Sequence, residues 1–348
     1  MTKNTQPIAL EKNDLELDVT VGLNAVIVAV TNDLPRVLTI TGVNHSLASQ
    51  EIFEVLPFGP LDPRGGRTLE KELRGWVSEQ TGLELGYVEQ LYTFGDRNRD
   101  PIERSGGPRV LSVAYLALAR EIEVTGKAEW QDYYAFLPWE DWRLGAPEII
   151  GGDMIPALFD WAESSKDRSI QRARRERISI AFGLVGSAWD TEKVLERYEL
   201  LYEAALIPEA HRDLRATTLW GGQTKGPSVS LKETRSQSFQ LGRPMALDHR
   251  RMLATALARL RGKIKYRPVV FEMIHPTFTL LQLQRVVEAL AGILLHKQNF
   301  RRLVDKGGLV AGTGQLDIQT GGRPAEIFRF RRDVLRERRA PGVGFPGG

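Results

Sequence analysis

The chain has 348 residues, 42% of them hydrophobic and 26% charged, with no cysteine; this profile fits a soluble globular protein of about two domains, and it excludes disulfides and thiolate metal sites. The formal net charge of +3 hides an asymmetry: residues 241–348 hold 20 Lys and Arg against 8 Asp and Glu, a net of +12, whereas residues 1–240 are net −9. A segregated basic part is the footprint expected for binding a polyanion, nucleic acid first among them, and equally that of a solvated basic surface.

The N-terminus, "MTKNTQPIALEKNDLELDV", has no apolar core of a leader, and no window approaches the roughly 20 apolar residues of a membrane span. A cytoplasmic protein without a membrane partner is expected. The five histidines (His45, His211, His249, His275 and His296) show no metal-ligand spacing, so no metal site is expected.

In chain order, residues 20–30 and 36–43 are β-branched runs separated by "TNDLP" and read as a hairpin. The Pro- and Gly-rich stretch 51–67 reads as an irregular loop. A helix is expected over Leu69–Leu83, packed through Leu69, Leu73, Trp76 and Val77 and stopped by Gly82. Further strands follow at 87–96 and 109–119, and "ALFDWAE" at 157–163 begins a helix. This is an α/β unit of about 160 residues, one domain in size.

The order strand, "LPFG" loop, helix ending "SEQTGL", with "VEQLYTFGDRNRDP" and "RVLSVAYLAL" downstream, resembles the Nudix hydrolase fold. The Nudix box, G-x5-E-x7-R-E-U-x-E-E-x-G-U, sets carboxylates at i, i+3 and i+4 on one helical face to hold Mg2+ against a diphosphate. Aligned at its end, Glu79, Gly82 and Leu83 match. Gln80 replaces the second closing glutamate, Trp76 and Gly75 replace the central glutamate and arginine, and Leu61 and Arg67 stand for the first glycine and glutamate. Anchoring on Gly66 instead recovers Glu72 but puts Gln80 where arginine belongs. One remaining carboxylate leaves Mg2+ short of oxygen ligands, so no diphosphate hydrolysis and no catalytic residue is expected. An active hydrolase of ADP-ribose-like nucleoside diphosphates is the alternative. Candidate pocket residues are Arg64, Arg74, Glu79, Tyr92, Phe94, Asp96 and Arg109: arginines suit phosphates, and the aromatic rings can stack on adenine.

Residues 164–183 form a basic, helix-like connector. Val194, Tyr198, Leu201 and Ala205 recur at helical spacing, which suits core packing or a dimer contact. The Gly-, Ser- and Thr-rich segment 217–242 reads as a long mobile loop.

The C-terminal part carries sharper motifs. A helix opening near Asp248 places Leu253, Leu257, Leu260 and Ile264 on one face and a basic side outward. In "TFTLLQLQRVVEALAG", Thr279 and Gln282 have capping-box spacing, and Gly292 stops the helix. The next helix buries Phe300, Leu303 and Val304, leaving Lys297, Gln298, Asn299, Arg301 and Arg302 outward, residue types that contact phosphates and base edges. Two strands then flank a wing with Thr320, Gly321, Gly322 and Arg323, where Arg323 is suited to a minor groove or a phosphate. Helix, tight connection, helix and β-wing make a winged helix-turn-helix, against the plainer reading of a small helical interaction domain.

A Nudix-like domain followed by a winged helix resembles the Nudix-related repressors of NAD metabolism, the NrtR group and its NadQ-like members; "LLHKQNFRRLV", "TGGRPAEIFRFRR" and "RYELLYEAALIPEA" carry the likeness. The resemblance implies a ligand-sensing domain at 1–163, a connector at 164–242 and a DNA-binding domain at 243–348. It also implies a homodimer on double-stranded operator DNA upstream of NAD biosynthesis genes, with no required cofactor. The implied effector is a nucleotide: ADP-ribose, NAD or ATP.

Overall fold

The computed structural model describes residues 19–44, 51–62, 64–97, 99–104, 106–219, 241–318 and 324–337. Strands β1 (Val19–Thr31) and β2 (Leu34–Asn44) form the expected hairpin, paired Thr31 to Leu34. Its two turn residues, Asn32 and Asp33, have φ of 51° and 64°. Asn and Asp tolerate this left-handed geometry, which matches the twist of the flanking strands. The stretch 51–67 departs from the expected loop: it contains β3 (Glu51–Val55), paired with β2, and the three-residue β4 (Phe58–Pro60), paired with β1. Pro57 and Gly59 hid these strands because Pro and Gly signal breaks, whereas β3 pairs with the strand just before it and β4 with the more distant β1.

Helix α1 (Leu69–Thr81) begins where the Thr68 side chain accepts from Lys71 N and ends at Gly82, φ 71°. Strand β5 (Tyr87–Phe94), the single-turn α2 (Pro101–Arg104), β6 (Arg109–Leu118) and β7 (Ala128–Asp132) complete a seven-stranded mixed sheet ordered β3-β2-β1-β6-β5, with β7 on β2 and β6 parallel to β1. Side-chain alternation gives the sheet two apolar faces. On one, Leu23, Ala25, Ile27, Val113 and Tyr115 take up Leu73 and Val77 of α1. On the other, Val26, Val28, Ala114 and Leu116 meet the remaining helices.

Those helices are α3 (Ile155–Glu163), entered through one π turn at Ile150–Met154, α4 (Arg168–Phe182), α5 (Val194–Glu203), α6 (Pro208–Leu219) and α7 (His249–Ile264). Val194, Tyr198, Leu201 and Ala205 are all buried, so the helical spacing serves the core. The expected loop at 217–242 instead begins within α6 and ends at buried Leu241; residues 220–240 lie outside the described residues. The C-terminal module adds β8 (Thr277–Thr279), α8 (Leu280–Ala291), α9 (Lys297–Gly307), β9 (Val310–Asp317), β10 (Ala325–Phe330) and the short α10 (Val334–Glu337), with a sheet ordered β8-β10-β9.

Helix α7 corrects one expectation. Its apolar stripe is buried as read, but its basic residues divide: Arg259 is exposed as expected, whereas Arg250 and Arg261 are fully buried. Arg250 meets buried Glu209 at 3.3 Å, and Arg261 meets buried Glu140 at 2.6 Å. Glu140 also accepts from Arg197 of α5 at 2.6 and 2.8 Å, and that guanidinium lies 3.9 Å above the Trp189 ring. Burial alone raises the Glu140 carboxyl pKa, but the two guanidinium groups outweigh it and hold the group below its ordinary value.

Candidate DNA-binding and effector sites

The C-terminal module is ordered from its caps inward. At the start of α8 the Thr279 hydroxyl accepts from Gln282 N at 3.3 Å, and the Gln282 side chain accepts from Thr279 N at 2.7 Å, a reciprocal capping box. Gly292, φ 69°, ends the helix. Leu283, Val287 and Leu290 are buried beneath it, and Phe300 and Val304 dock α9 against the same core. Phe330 of β10 stacks on Phe271 at 4.3 Å, and Arg331 returns to the end of α9 through Gly308 O at 3.0 Å. This packing leaves Lys297, Gln298, Arg301 and Arg302 exposed and Asn299 half-buried on α9. Thr320, Gly321, Gly322 and Arg323 lie outside the described residues.

In the first unit, the altered box positions close a seam between α1 and β4. The Trp76 ring lies on Gly59 so tightly that a Cβ there would sit 2.2 Å from it, and Trp76 Nε1 donates to Pro60 O at 3.0 Å. The Gln80 amide accepts from Phe58 N at 3.2 Å and donates to Phe58 O at 2.6 Å. An amide can do both; a carboxylate has no donor for Phe58 O. Side chains that would be metal ligands in a Nudix box therefore act here as packing and strand-pairing groups. Of the acidic residues nearby, Glu72 accepts from Gly66 N, Glu70 pairs with Arg74 at 2.8 Å, and Glu79 is exposed. Among the described residues no group of three His, Asp or Glu stands close enough to hold a metal ion.

The seven candidate pocket residues divide between the faces of the sheet. Arg64 is exposed, and Arg74 is spent on Glu70 and the carbonyls of Leu85 and Gly86; with Glu79 these lie on or before α1. Tyr92, Phe94, Asp96 and Arg109 gather where β5 ends and β6 begins. Tyr92 packs edge-on against Phe94 at 5.2 Å and is 60% exposed, enough to offer a ring to a ligand. Arg109 donates to Gly95 O at 2.7 Å, and its buried Nε has no partner among the described residues.

The helix start near Asp248 is where the sequence places it, but its position was not legible: the N-terminus of α7 closes this end of the sheet. Asp248 stands at its N-cap position, yet its side chain makes no capping bond; Arg99, from the β5–β6 loop, grips the carboxylate with two nitrogens, Nε at 2.9 Å. Arg251 reaches Asp96 at 3.3 Å and Glu199 of α5 at 2.7 Å. His249 is buried: Nδ1 accepts from Leu56 N at 3.0 Å, and Nε2 lies 3.2 Å from the Asn24 amide, which also meets the Ser112 hydroxyl. With its proton on Nε2, the neutral ring requires the Asn24 oxygen as acceptor, leaving the amide N–H for Ser112. Burial lowers the His249 pKa to about 4, with Asp248 opposing and Arg99 and Arg212 adding. The exposed Phe58 ring lies 6.2 Å from the imidazole, and the Arg251 guanidinium lies 4.7 Å from the Tyr202 ring.

No helix among the described residues is long and apolar enough to cross a membrane. Residues 270–330 match the NrtR DNA-binding winged helix domain family. The ADPR responsive transcriptional repressor NtrR of Acinetobacter baylyi is 40% identical over 86 residues, which are 25% of this chain and 34% of that protein. The match thus spans about a third of that relative's length. Shewanella oneidensis NrtR complexed with a 27mer DNA has the same fold with a TM-score of 0.52 at 19% identity, over 91% of this chain and 95% of that one. The S. oneidensis protein without DNA gives 0.49 at 19% identity, over 90% and 95%. Residues 270–330 are thus similar to the DNA-binding winged helix of NrtR proteins, and the chain shares the fold of the S. oneidensis protein.

Proposed function

We propose that this chain is a DNA-binding transcriptional repressor of NAD biosynthesis genes whose Nudix-like part senses an adenine nucleotide and hydrolyses none. The observation that carries the reading is α9: a helix docked by Phe300 and Val304, presenting Lys297, Gln298, Arg301 and Arg302 to solvent inside a segment that matches a DNA-binding winged-helix family. The curated relative is named as ADPR responsive, which favours ADP-ribose over NAD or ATP as effector. The ligand end is the cluster of Tyr92, Phe94, Asp96 and Arg109, with Arg64, Arg74 and Glu79 on the far face of the sheet as weaker candidates. Sensing is assigned to 1–163, the connector to 164–242 and DNA binding to 243–348, with Thr320, Gly321, Gly322 and Arg323, outside the described residues, as further candidates for DNA contact. Two recognition helices on a pseudo-palindrome require a homodimer.

Absence of hydrolysis is supported by Trp76 and Gln80, which fill the α1–β4 seam, and by the single exposed Glu79 left of the closing glutamate pair. Mg2+-dependent release of AMP from ADP-ribose by the purified chain would overturn that part. For DNA binding, Arg301→Ala and Arg302→Ala remove one cationic contact each. Either variant is expected to weaken binding by about 1–3 kcal/mol, roughly 5- to 150-fold, and a phosphate contact additionally lowers the salt slope by about 1. Unchanged affinity in the double variant would make the module an interaction domain.

A further inference from the structure

A repressor controlled by a small molecule needs two arrangements with different affinities for DNA. The simplest device swings the winged helix on a hinge relative to the sensor, and this chain is not built that way. One continuous buried cluster runs from Val26 and Val28 of the sheet through Val194 and Leu201 of α5 and Leu253 and Leu260 of α7 to Leu283, Phe300 and Val334 of the DNA-binding module. The polar bonds reinforce it. Tyr134 Oη donates to Ala289 O at 2.7 Å, Trp142 N donates to Gly292 O at 2.6 Å, and Arg261 Nε donates to Leu290 O at 3.0 Å, so three carbonyls around the end of α8 are bonded from outside the module. Gly292 itself is so close that a Cβ there would lie 2.3 Å from Glu140 O.

Helix α7 binds both ends of this body. Its first turn is fixed to the sensor through His249, Asp248 and Arg251, and its last turn is fixed by Arg261 to Glu140 and α8 and by Lys263 to Glu89 of β5. Opening a hinge between sensor and winged helix would break these bonds and expose part of the cluster to water. Packed cores of this kind shift between discrete arrangements rather than bending.

We propose that sensor, α7 and winged helix move as one rigid body in each protomer, and that the effector acts by changing how two copies of the chain sit relative to each other, which sets the spacing of the two α9 helices. This rests on the effector-controlled repressor reading above. The half-site spacing of a dimer is fixed by the separation of its recognition helices, so a small rotation between rigid protomers is enough to mismatch the operator.

The test exploits a cysteine-free chain. Asp33, at the tip of the β1–β2 hairpin, and Arg285, on α8, face each other across the seam at 3.2 Å with both side chains about half exposed. Neither belongs to the proposed DNA or ligand sites. Asp33→Cys and Arg285→Cys are combined and joined by a short, reducible bismaleimide, and binding of a genomic fragment selected by the wild type is measured by anisotropy with and without saturating ADP-ribose. The ratio of the two dissociation constants in the cross-linked protein is expected to stay within twofold of that in the same protein after reduction. Collapse of the ratio to one on cross-linking, with recovery on reduction, would overturn the proposal in favour of a hinge. A wild-type chain that binds DNA equally with and without ADP-ribose, NAD and ATP would instead remove the effector reading, before the cross-link is made.

Discussion

Replacing Glu140 by glutamine tests the interior of the molecule at its most charged point. The carboxylate is fully buried and takes three hydrogen bonds through its two oxygens, from Arg197 Nε at 2.6 Å, Arg197 Nη2 at 2.8 Å and Arg261 Nη1 at 2.6 Å. Its backbone oxygen takes a fourth, from Arg261 Nη2 at 2.9 Å. Glu140→Gln keeps the volume but leaves two buried guanidinium groups without a counter-charge and points an amide N–H at one of them. Breaking a buried ion pair from one side costs about 3–5 kcal/mol. At roughly 2 °C per kcal/mol for a chain this long, the melting temperature should fall by roughly 6–10 °C. Urea unfolding at pH 7, followed in parallel by tryptophan fluorescence and far-UV circular dichroism, measures the loss. The triple replacement Glu140→Met, Arg197→Met and Arg261→Met, which removes all three charges, should be markedly less harmful than the single one. A single variant within about 1 kcal/mol of wild type, the scale of an exposed pair, would refute the buried-charge argument.

Two further substitutions and two pH effects probe the sheet and the helix that closes it. His249 is neutral when folded, with its pKa down at about 4 against 6.5 for a free ring. The unfolded chain therefore binds a proton at a higher pH than the folded one, so stability is full above pH 6.5 and falls as pH drops towards 4. About 2.5 pH units at about 1.4 kcal/mol each give a loss of about 3 kcal/mol. His249→Gln, whose amide can still bond Leu56 N and Asn24, should flatten this part of the profile, and an unchanged slope across pH 4–6.5 would refute the assignment. Glu140, with its pKa held low, contributes stability that is present above its unfolded value of about 4.5 and is lost below that, as pH falls through the folded pKa. Gln80→Glu restores a family carboxylate yet removes the donor to Phe58 O; it should destabilise by about 1–2 kcal/mol in chemical denaturation, with or without Mg2+. Stabilisation of that variant by millimolar Mg2+ would show that the seam still forms a metal site.

Much of this architecture was legible from patterns that depend on near neighbours. The β-branched runs, the Thr279 and Gln282 capping box and the glycine stops at Gly82 and Gly292 each act within a few residues, and the structure places them as read. What escaped depends on distant partners. β4 exists because β1 pairs with it, and α6 was not expected at all. The arginines of α7 looked like a wet face because charge alone argues for exposure, while their carboxylate partners, Glu140 and Glu209, come from elsewhere in the chain. A signal was available: Arg250, Leu253, Leu257, Arg261 and Ile264 share one stripe at spacings of 3, 4, 4 and 3. The box substitutions were visible as departures from a family pattern; that Gln80 serves as a strand partner required β4 to be in place. Of the proposed ligand residues, Tyr92, Phe94, Asp96 and Arg109 stand together at one end of the sheet, while the N-terminus of α7 that closes this end lies about 140 residues further on.

In the proposed repressor, the α9 surface reads operator DNA under control of a nucleotide in the Nudix-like part. Incubating the purified chain with sheared genomic DNA, with and without ADP-ribose, NAD or ATP, and sequencing the retained fragments tests it most directly. One enriched inverted repeat upstream of NAD biosynthesis genes is expected, whose retention changes with ADP-ribose and disappears with Arg301→Ala and Arg302→Ala combined. Retention of no particular sequence under any condition would contradict it.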